Sequence, residues 1–481
     1  MNETAPGRDR SRWLALVVLC AGMLMIVLDA TIVNVALPSI QRDLGFSQAS
    51  LAWVVNAYLI PFGGLLLLAG RLGDLVGRKR VFVAGLAVFS IASLLCGVSA
   101  GQDMLIGARL VQGVGGALTS TVILGVIVTM FPAPREQARA IGVFSFTAAA
   151  GGSIGLLAGG LLTQAVNWHW IFFVNLPIGV AAVALASRLL ESDRGLGLRA
   201  GADVAGAALV TSALMLGVYT IVEARDFGWG SAHTLGFGTV AVVLLAGFVA
   251  RQATASSPLL PLGLFRSRSV SGANMVQVLM VAGMFGMFFV GALYLQRVLR
   301  YDPLQIGLAF LPVAVAIGAL SFRFAAQLNT RFGARAVLLA GLGSMVVGLA
   351  LFVRAPLDAT YLVDILPPMA LLGIGGGLSF PAVMTLGMSG ATDRDAGLIS
   401  GLVNTTAQVG GSVGLAVLAT LATSRTDHLL AGGESVPVAL TGGYHLAFGV
   451  SAGLVAAALV VAATVLRSGD RMQAEAFEKA A

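Results

Sequence analysis

What most constrains this chain is the recurrence, from Trp13 to Leu466, of apolar runs as long as a membrane is thick. A helix crossing the hydrocarbon core needs roughly 20 mostly apolar residues, and fourteen such runs occur. They lie near residues 13–37, 50–70, 81–99, 104–130, 137–163, 168–190, 203–223, 233–251, 270–296, 303–323, 335–353, 360–388, 396–422 and 443–467. A transmembrane β-barrel would alternate in polarity over segments of about 10 residues, whereas Trp13 to Leu28 is apolar on every face. Only 11% of the residues are charged and 57% are hydrophobic, against about 25% charged in soluble domains. The expected fold class is an all-α membrane protein.

Basic residues test the topology independently, because Lys and Arg in short loops accumulate on the cytoplasmic side. With the N-terminus inside, the inner segments hold 22 of the 29 basic residues and the outer loops six; the last, Arg109, lies within a span. Both termini are therefore expected in the cytoplasm. The net charge of +7 follows from this bias, so no nucleic-acid partner is inferred. The basic start at Arg8, Arg10 and Arg12 resembles a signal peptide only briefly, since the apolar stretch continues past Leu28. Cys20 and Cys96 sit in apolar runs without metal-ligand spacing and read as structural filler.

The chain repeats itself at nearly one offset. VGGAL (Val114–Leu118) returns as IGGGL (Ile374–Leu378), GGSIGLL (Gly151–Leu157) as GGSVGLA (Gly410–Ala416), and more weakly LVGRKR (Leu75–Arg80) as RFGARA (Arg331–Ala336). Two related six-helix halves follow, at 13–190 and 270–467, with an inserted pair and its connectors at 191–269, an N-terminal segment at 1–12 and a tail at 468–481. Parallel repeats of this kind place a transport site at their interface.

Several strings carry possible chemistry. LDATIVNVALP (Leu28–Pro38) puts Asp29 inside the first span, where an ionised carboxylate costs roughly 2.5–3.5 kcal/mol and so marks a functional candidate. RLVQGVGGA (Arg109–Ala117) opens the fourth span with a cation. Asp29 lies late in an outward-running helix and Arg109 early in an inward-running one, so both fall in the outer half of the membrane and can pair. Either a titrating network or a static ion pair fits that placement. GRLGDLVGRKR (Gly70–Arg80) follows the second span. Its Gly70, Gly73 and Gly77 permit a tight turn, Asp74 can meet a helix N-terminus of the other half, and Arg71, Arg78, Lys79 and Arg80 enforce topology or take part in a gate. GGSIGLLAGGLL (Gly151–Leu162) and WHWIFFVNLPIG (Trp168–Gly179) complete the set.

These motifs together resemble the major facilitator superfamily and, within it, the fourteen-helix drug:proton antiporters. The resemblance implies two pseudo-symmetric bundles that alternate in access, and protons as the coupling ion with no other cofactor. It implies proton coupling through Asp29 and Arg109, a gate at Gly70, Arg71, Gly73, Asp74, Gly77, Arg78 and Lys79, and close approach of the two halves at Gly151, Gly155, Gly159 and Gly160. Leu156 stands where the family pattern has Pro, so the usual kink is not assumed. His169 stands where the family has Arg, and between two Trp it reads as an interfacial neighbour. Asp203, at the start of the inserted pair, suits a helix dipole; DFGWG (Asp226–Gly230) and PLLPLGLFRSR (Pro258–Arg268) match the same family without evident chemistry. Polar residues within apolar spans mark a candidate substrate path: Asn34, Asn56, Gln112, Asn274, Gln277, Asn404 and Gln408.

Enzymatic readings fail. Both GxSxG strings lie within spans rather than at a strand-to-helix turn, no HExxH metal motif occurs, and neither lysine, Lys79 or Lys479, precedes Ser or Thr as a phosphate loop requires. The expected function is export of a small, lipophilic molecule across the inner membrane, by a chain that acts as a monomer. Import of a metabolite is the alternative, though the loop after the sixth span, RLLESDRGLGLR (Arg188–Arg199), lacks the sugar-porter pattern.

Overall fold

The structure, a computed structural model, describes residues 6–47, 50–132, 134–191, 193, 195, 197, 203–256, 258–388 and 396–466. The tail expected at 468–481 lies outside the described residues. Among those residues all regular structure is helical, as lipid demands of any backbone that must satisfy its own polar groups. In chain order the helices are α1 (Pro6–Leu44), α2 (Ala52–Val76), α3 (Arg78–Gly97), α4 (Gln102–Met130), α5 (Pro134–Ala165), α6 (Trp170–Phe173), α7 (Asn175–Leu189), α8 (Val204–Phe227), α9 (Ala232–Thr254), α10 (Arg268–Arg297), α11 (Pro303–Ala319), α12 (Ala325–Phe332), α13 (Ala334–Phe352), α14 (Leu366–Met388), α15 (Ala396–Ala431) and α16 (Val436–Thr464).

Every apolar run carries a helix, but the number of full-length crossings is smaller than expected. Among the described residues eleven spans are long and apolar enough to cross a membrane, and counting bent α2 makes twelve. Two further stretches, Ile154–Ala165 within α5 and Pro303–Ala319, are apolar but shorter. The causes are local. The first turns of α5 carry Arg135, Glu136 and Arg139, and α11 gives way at Leu320 to a π-helical turn over Leu320–Phe324. Val180, Val242 and Leu362 are at least 66% exposed, a display of large apolar side chains that suits lipid rather than water.

The helices form two compact units. The first comprises α1 to α7 with α8 through Met215 and α9 from Val243; the second comprises Leu216–Val242 and α10 to α16. The two units pack internally by the same rules. Helix α3 starts after Gly77 at φ 108° and α13 after Gly333 at φ 80°, a conformation that favours glycine. In the first unit a Cβ at Gly115 would sit 2.9 Å from the Gly85 carbonyl oxygen; in the second, one at Gly375 would sit 2.6 Å from that of Gly341. Likewise Gly151 packs on Val27 of α1, and Gly410 on Val278 of α10. The repeated sequence therefore has repeated packing, centred on buried aromatics: Phe82, Phe89 and Phe172 in one unit, Tyr294, Tyr444 and Phe448 in the other.

Candidate functional site

Seven polar side chains, Asp29, Asn56, Tyr58, Ser93, Arg109, Gln112 and Asn175, lie inside the first unit with at most 2% exposure. Burial of charge in such a place is tolerated only when it is paired and hydrogen-bonded, and the arrangement meets that condition except at Arg109 Nη2, which is buried without a hydrogen-bond partner. Arg109 Nη1 donates to Asp29 Oδ2 in a direct ion pair. The same nitrogen donates to Gln112 Oε1 at 2.7 Å, and Arg109 Nε donates to the Val54 carbonyl at 2.9 Å. Gln112 Nε2 donates to Asp29 Oδ1 at 2.8 Å and to Ser93 Oγ at 2.8 Å; Asn175 Nδ2 donates to Asp29 Oδ1 at 3.3 Å. Ser93 Oγ in turn donates to the Phe89 carbonyl at 2.8 Å.

Local sequence explains how five helices deliver these groups. Arg109 and Gln112 are three apart on α4 and so share a face. On the neighbouring turn Gly113 and Gly116 leave room for α2: added Cβ atoms would lie 2.7 Å from Pro61 Cγ and 2.9 Å from the Phe62 ring. That approach sets the Tyr58 ring 4.5 Å from the Arg109 guanidinium carbon, with Phe172 at 5.7 Å. Both rings offer their faces to a cation that has lost its water. Asn175 opens α7 just after the break at Val174. One turn on, a Cβ at Gly179 would collide with Ser90 Oγ of α3 and lie 3.1 Å from Met25 Cε of α1, so the missing side chain lets α7 close on α3 and α1.

Asp29 and Arg109, whose depths permit a pair, do pair, and Gln112, a candidate for the substrate path, is hydrogen-bonded to both. Its face of α4 is the one that carries Arg109, which is why it meets the pair. The other polar candidates stand apart from it. Asn34 Nδ2 donates back to the Ala30 carbonyl of its own helix at 2.9 Å. Asn56 is fully buried with neither amide atom hydrogen-bonded. In the second unit Asn274 donates to the Val270 carbonyl at 2.8 Å and accepts from Thr406 Oγ1 at 2.9 Å. Gln277 and Gln408 each hold a side-chain carbonyl oxygen without a partner, and Asn404 is exposed. Asn175, Ser93 and Tyr58 join the site without a signal in the sequence, since each sits in an apolar run whose facing helix only the packing reveals.

The motif after the second span is stitched to the end of the same unit. Gly70 and Arg71 are half-buried, and Gly73 is buried with a Cβ position facing Val122. Arg78 donates to the Gly125 carbonyl at 3.0 Å and pairs with Asp74 at 3.4 Å. Lys79 Nζ donates to the Ser187 and Leu190 carbonyls at 2.8 and 2.6 Å, which suits the negative end of α7. The anion at the N-terminus of α3 is Asp193, which accepts from the Arg78 backbone N–H at 2.9 Å and packs over Gly77.

Gly151, Gly155 and Gly159 of α5 are four apart and share one face, and within the first unit that face packs on α1. A Cβ at Gly155 would lie 3.0 Å from the Leu28 carbonyl oxygen and one at Gly159 2.7 Å from that of Ile32. Gly160 is buried. With Leu156 in the Pro position, α5 remains one helix from Pro134 to Ala165.

An all-helical, lipid-facing chain with repeated packing and an enclosed acid–base pair defines a multi-pass membrane transport protein. The chain belongs to the Major Facilitator Superfamily, whose model matches residues 19–415. It is 37% identical to the puromycin resistance protein pur8 of Streptomyces alboniger, covering 97% of this chain and 94% of the relative. It is 38% identical to the cephamycin export protein CmcT of Amycolatopsis lactamdurans over 86% and 85% of the two chains. It is 34% identical to the tetracenomycin C resistance and export protein of Streptomyces glaucescens, over 88% and 78%. The crystal structure of the POT family transporter PepTSo shares the fold, with a TM-score of 0.69 at 16% identity over 96% of this chain and 98% of that one.

Proposed function

We propose that this chain exports a small, lipophilic, antibiotic-like molecule across the plasma membrane in exchange for protons. On this reading it works as a monomer, with fourteen crossings, both termini inside and two halves alternating in access, and the segment Gly70–Lys79 acts as the cytoplasmic gate. The observation that carries the reading is the Asp29–Arg109 pair, wholly buried and held by Gln112 and Asn175. Its similarity to the cephamycin and tetracenomycin C export proteins supports the direction of transport.

The physics of coupling follows from burial. While Asp29 is ionised, the guanidinium has its counter-charge. Protonation leaves Arg109 buried and unpaired, and losing one partner of a buried pair costs about 3–5 kcal/mol. A conformation that opens the site to water relieves that cost, so proton uptake and the change of access are linked. One charge moving down a membrane potential supplies about 2.3 kcal/mol per 100 mV, enough to drive export when repeated each cycle.

Expression in a drug-sensitive host should lower cellular ethidium, and a protonophore should abolish the effect. Asp29→Asn should reach the membrane and lose proton-coupled efflux. Transport at normal rates with Asn at this position would remove Asp29 from the coupling site, and uptake of a solute without resistance would point to import.

A further inference from the structure

We infer that Asn175 is a positioning residue whose amide serves both protonation states of Asp29, donating to the carboxylate and, after turning over, accepting from the carboxylic acid. The inference deepens the proton-exchange reading and rests on it. It starts from an inventory of hydrogen bonds around one carboxyl group. Asp29 Oδ2 accepts from Arg109, and Oδ1 accepts from Gln112 and Asn175. Each of these three partners donates, an arrangement suited to the anion.

A proton placed on Asp29 changes that inventory by one atom. The new O–H needs an acceptor, and an unmet buried donor costs about 1–3 kcal/mol. Gln112 Oε1 is engaged by Arg109 Nη1 at 2.7 Å and by the Cys96 thiol at 3.6 Å, and Ser93 Oγ is engaged by Gln112. Asn175 Oδ1 is buried and has no hydrogen-bond partner. Its own amide nitrogen already reaches Asp29 Oδ1, so a half-turn of the amide brings the oxygen to the same place. The exchange is balanced: the proton stays on Asp29 Oδ1, N–H···O becomes O···H–O, and in either state one amide atom lacks a partner.

Gln112 cannot do this, because both ends of its amide are engaged: the oxygen by Arg109 and Cys96, the nitrogen by Asp29 and Ser93. The other titratable or charged groups acting in this cluster are Arg109 of α4, Tyr58 of α2 and Cys96 of α3. Helices α5 and α7 carry ionisable side chains only near their ends, at Arg135, Glu136, Arg139 and Arg188, and α6 carries none. Among the groups hydrogen-bonded to Asp29, Asn175 is thus the neutral one with an unengaged acceptor.

The test uses the full chain reconstituted in lipid and infrared difference spectra recorded across pH. The acid carbonyl band that Asp29→Asn removes reports protonated Asp29. Asn175→Leu keeps approximate size and deletes both hydrogen-bonding atoms. It should move that band to higher frequency, shift the pH midpoint of its appearance, and slow proton-driven transport about tenfold, the scale of one hydrogen bond. Asn175→Ala deletes the same atoms without added bulk and is read identically if the leucine variant does not assemble. A shifted carboxylate band with an unmoved acid band would mean that Asn175 only donates, and would overturn the inference. So would unchanged band and midpoint. If instead Asp29→Asn removes no titrating band, or retains proton-driven transport, the proton-exchange reading itself falls, whatever Asn175 does.

Discussion

Arg109 has no route to water in this structure, being 0% exposed and ringed by Asp29, Gln112, the Val54 carbonyl, Tyr58 and Phe172. Its value to the fold is therefore conditional on its partner. Arg109→Gln leaves Asp29 buried without a counter-charge and should destabilise the protein by about 3–5 kcal/mol, whereas the double variant with Asp29→Asn removes both charges and should recover most of that loss. Thermal unfolding in detergent reads the difference; equal damage from the single and double variants would show that the pair contributes nothing beyond packing. This much of the site was legible from depth along two spans, because a buried acid needs a partner and Arg109 was the cation at matching height. Asn175 was not, because nothing in one sequence says which face of the seventh helix meets the first.

At the scale of the helix, spacing names a face but not the partner it meets. The period of four at Gly151, Gly155 and Gly159 correctly implies one smooth stripe, but a stripe does not name what lies on it, and here it is α1. Gly159→Ala should force α1 and α5 apart, since its Cβ would lie 2.7 Å from the Ile32 carbonyl oxygen, while Gly152→Ala meets nothing within 4 Å. Loss of folded yield and melting temperature in the first variant but not the second checks the assignment. The inserted helices offer a pH-dependent contrast. Burial pushes the Asp203 carboxyl up, but bonds from Arg251, the Gly206 N–H and Gln252 outweigh it and hold the group below the usual carboxylate range. A depressed value means stability that is present above the unfolded value, about 3.9, and lost as pH falls through the folded one. Asp203 also caps α8, so Asp203→Ala should cost about 1 kcal/mol at neutral pH. The gap in melting temperature between this variant and the parent should close on acidification below about pH 4.

Across the whole molecule, the duplication preserved packing without preserving charge. The offset of 260 that relates VGGAL to IGGGL carries Arg109 to Met369 and Gln112 to Leu372, both buried. The packing of Gly151 on Val27 and of Gly410 on Val278 sets an offset of 251 for the first helices, which carries Asp29 to Met280, 0% exposed. The second unit thus has thioether and isobutyl side chains where the first has its acid, base and amide. The repeat was legible because glycines at helix contacts resist change. The asymmetry was not, because helix register across the repeat had to be read from packing. On the proposed proton-exchange mechanism, Asp29, the one carboxylate with no exposure among the described residues, predicts one proton per transport cycle. For a neutral substrate exchanged one for one, a difference of one pH unit is worth 1.36 kcal/mol and so sustains a substrate gradient of at most about tenfold. Proteoliposomes held at zero membrane potential, with the static-head gradient measured against imposed pH difference, give the slope directly. A gradient approaching a hundredfold per pH unit would require a second proton, and with it a titrating group outside the Asp29 network.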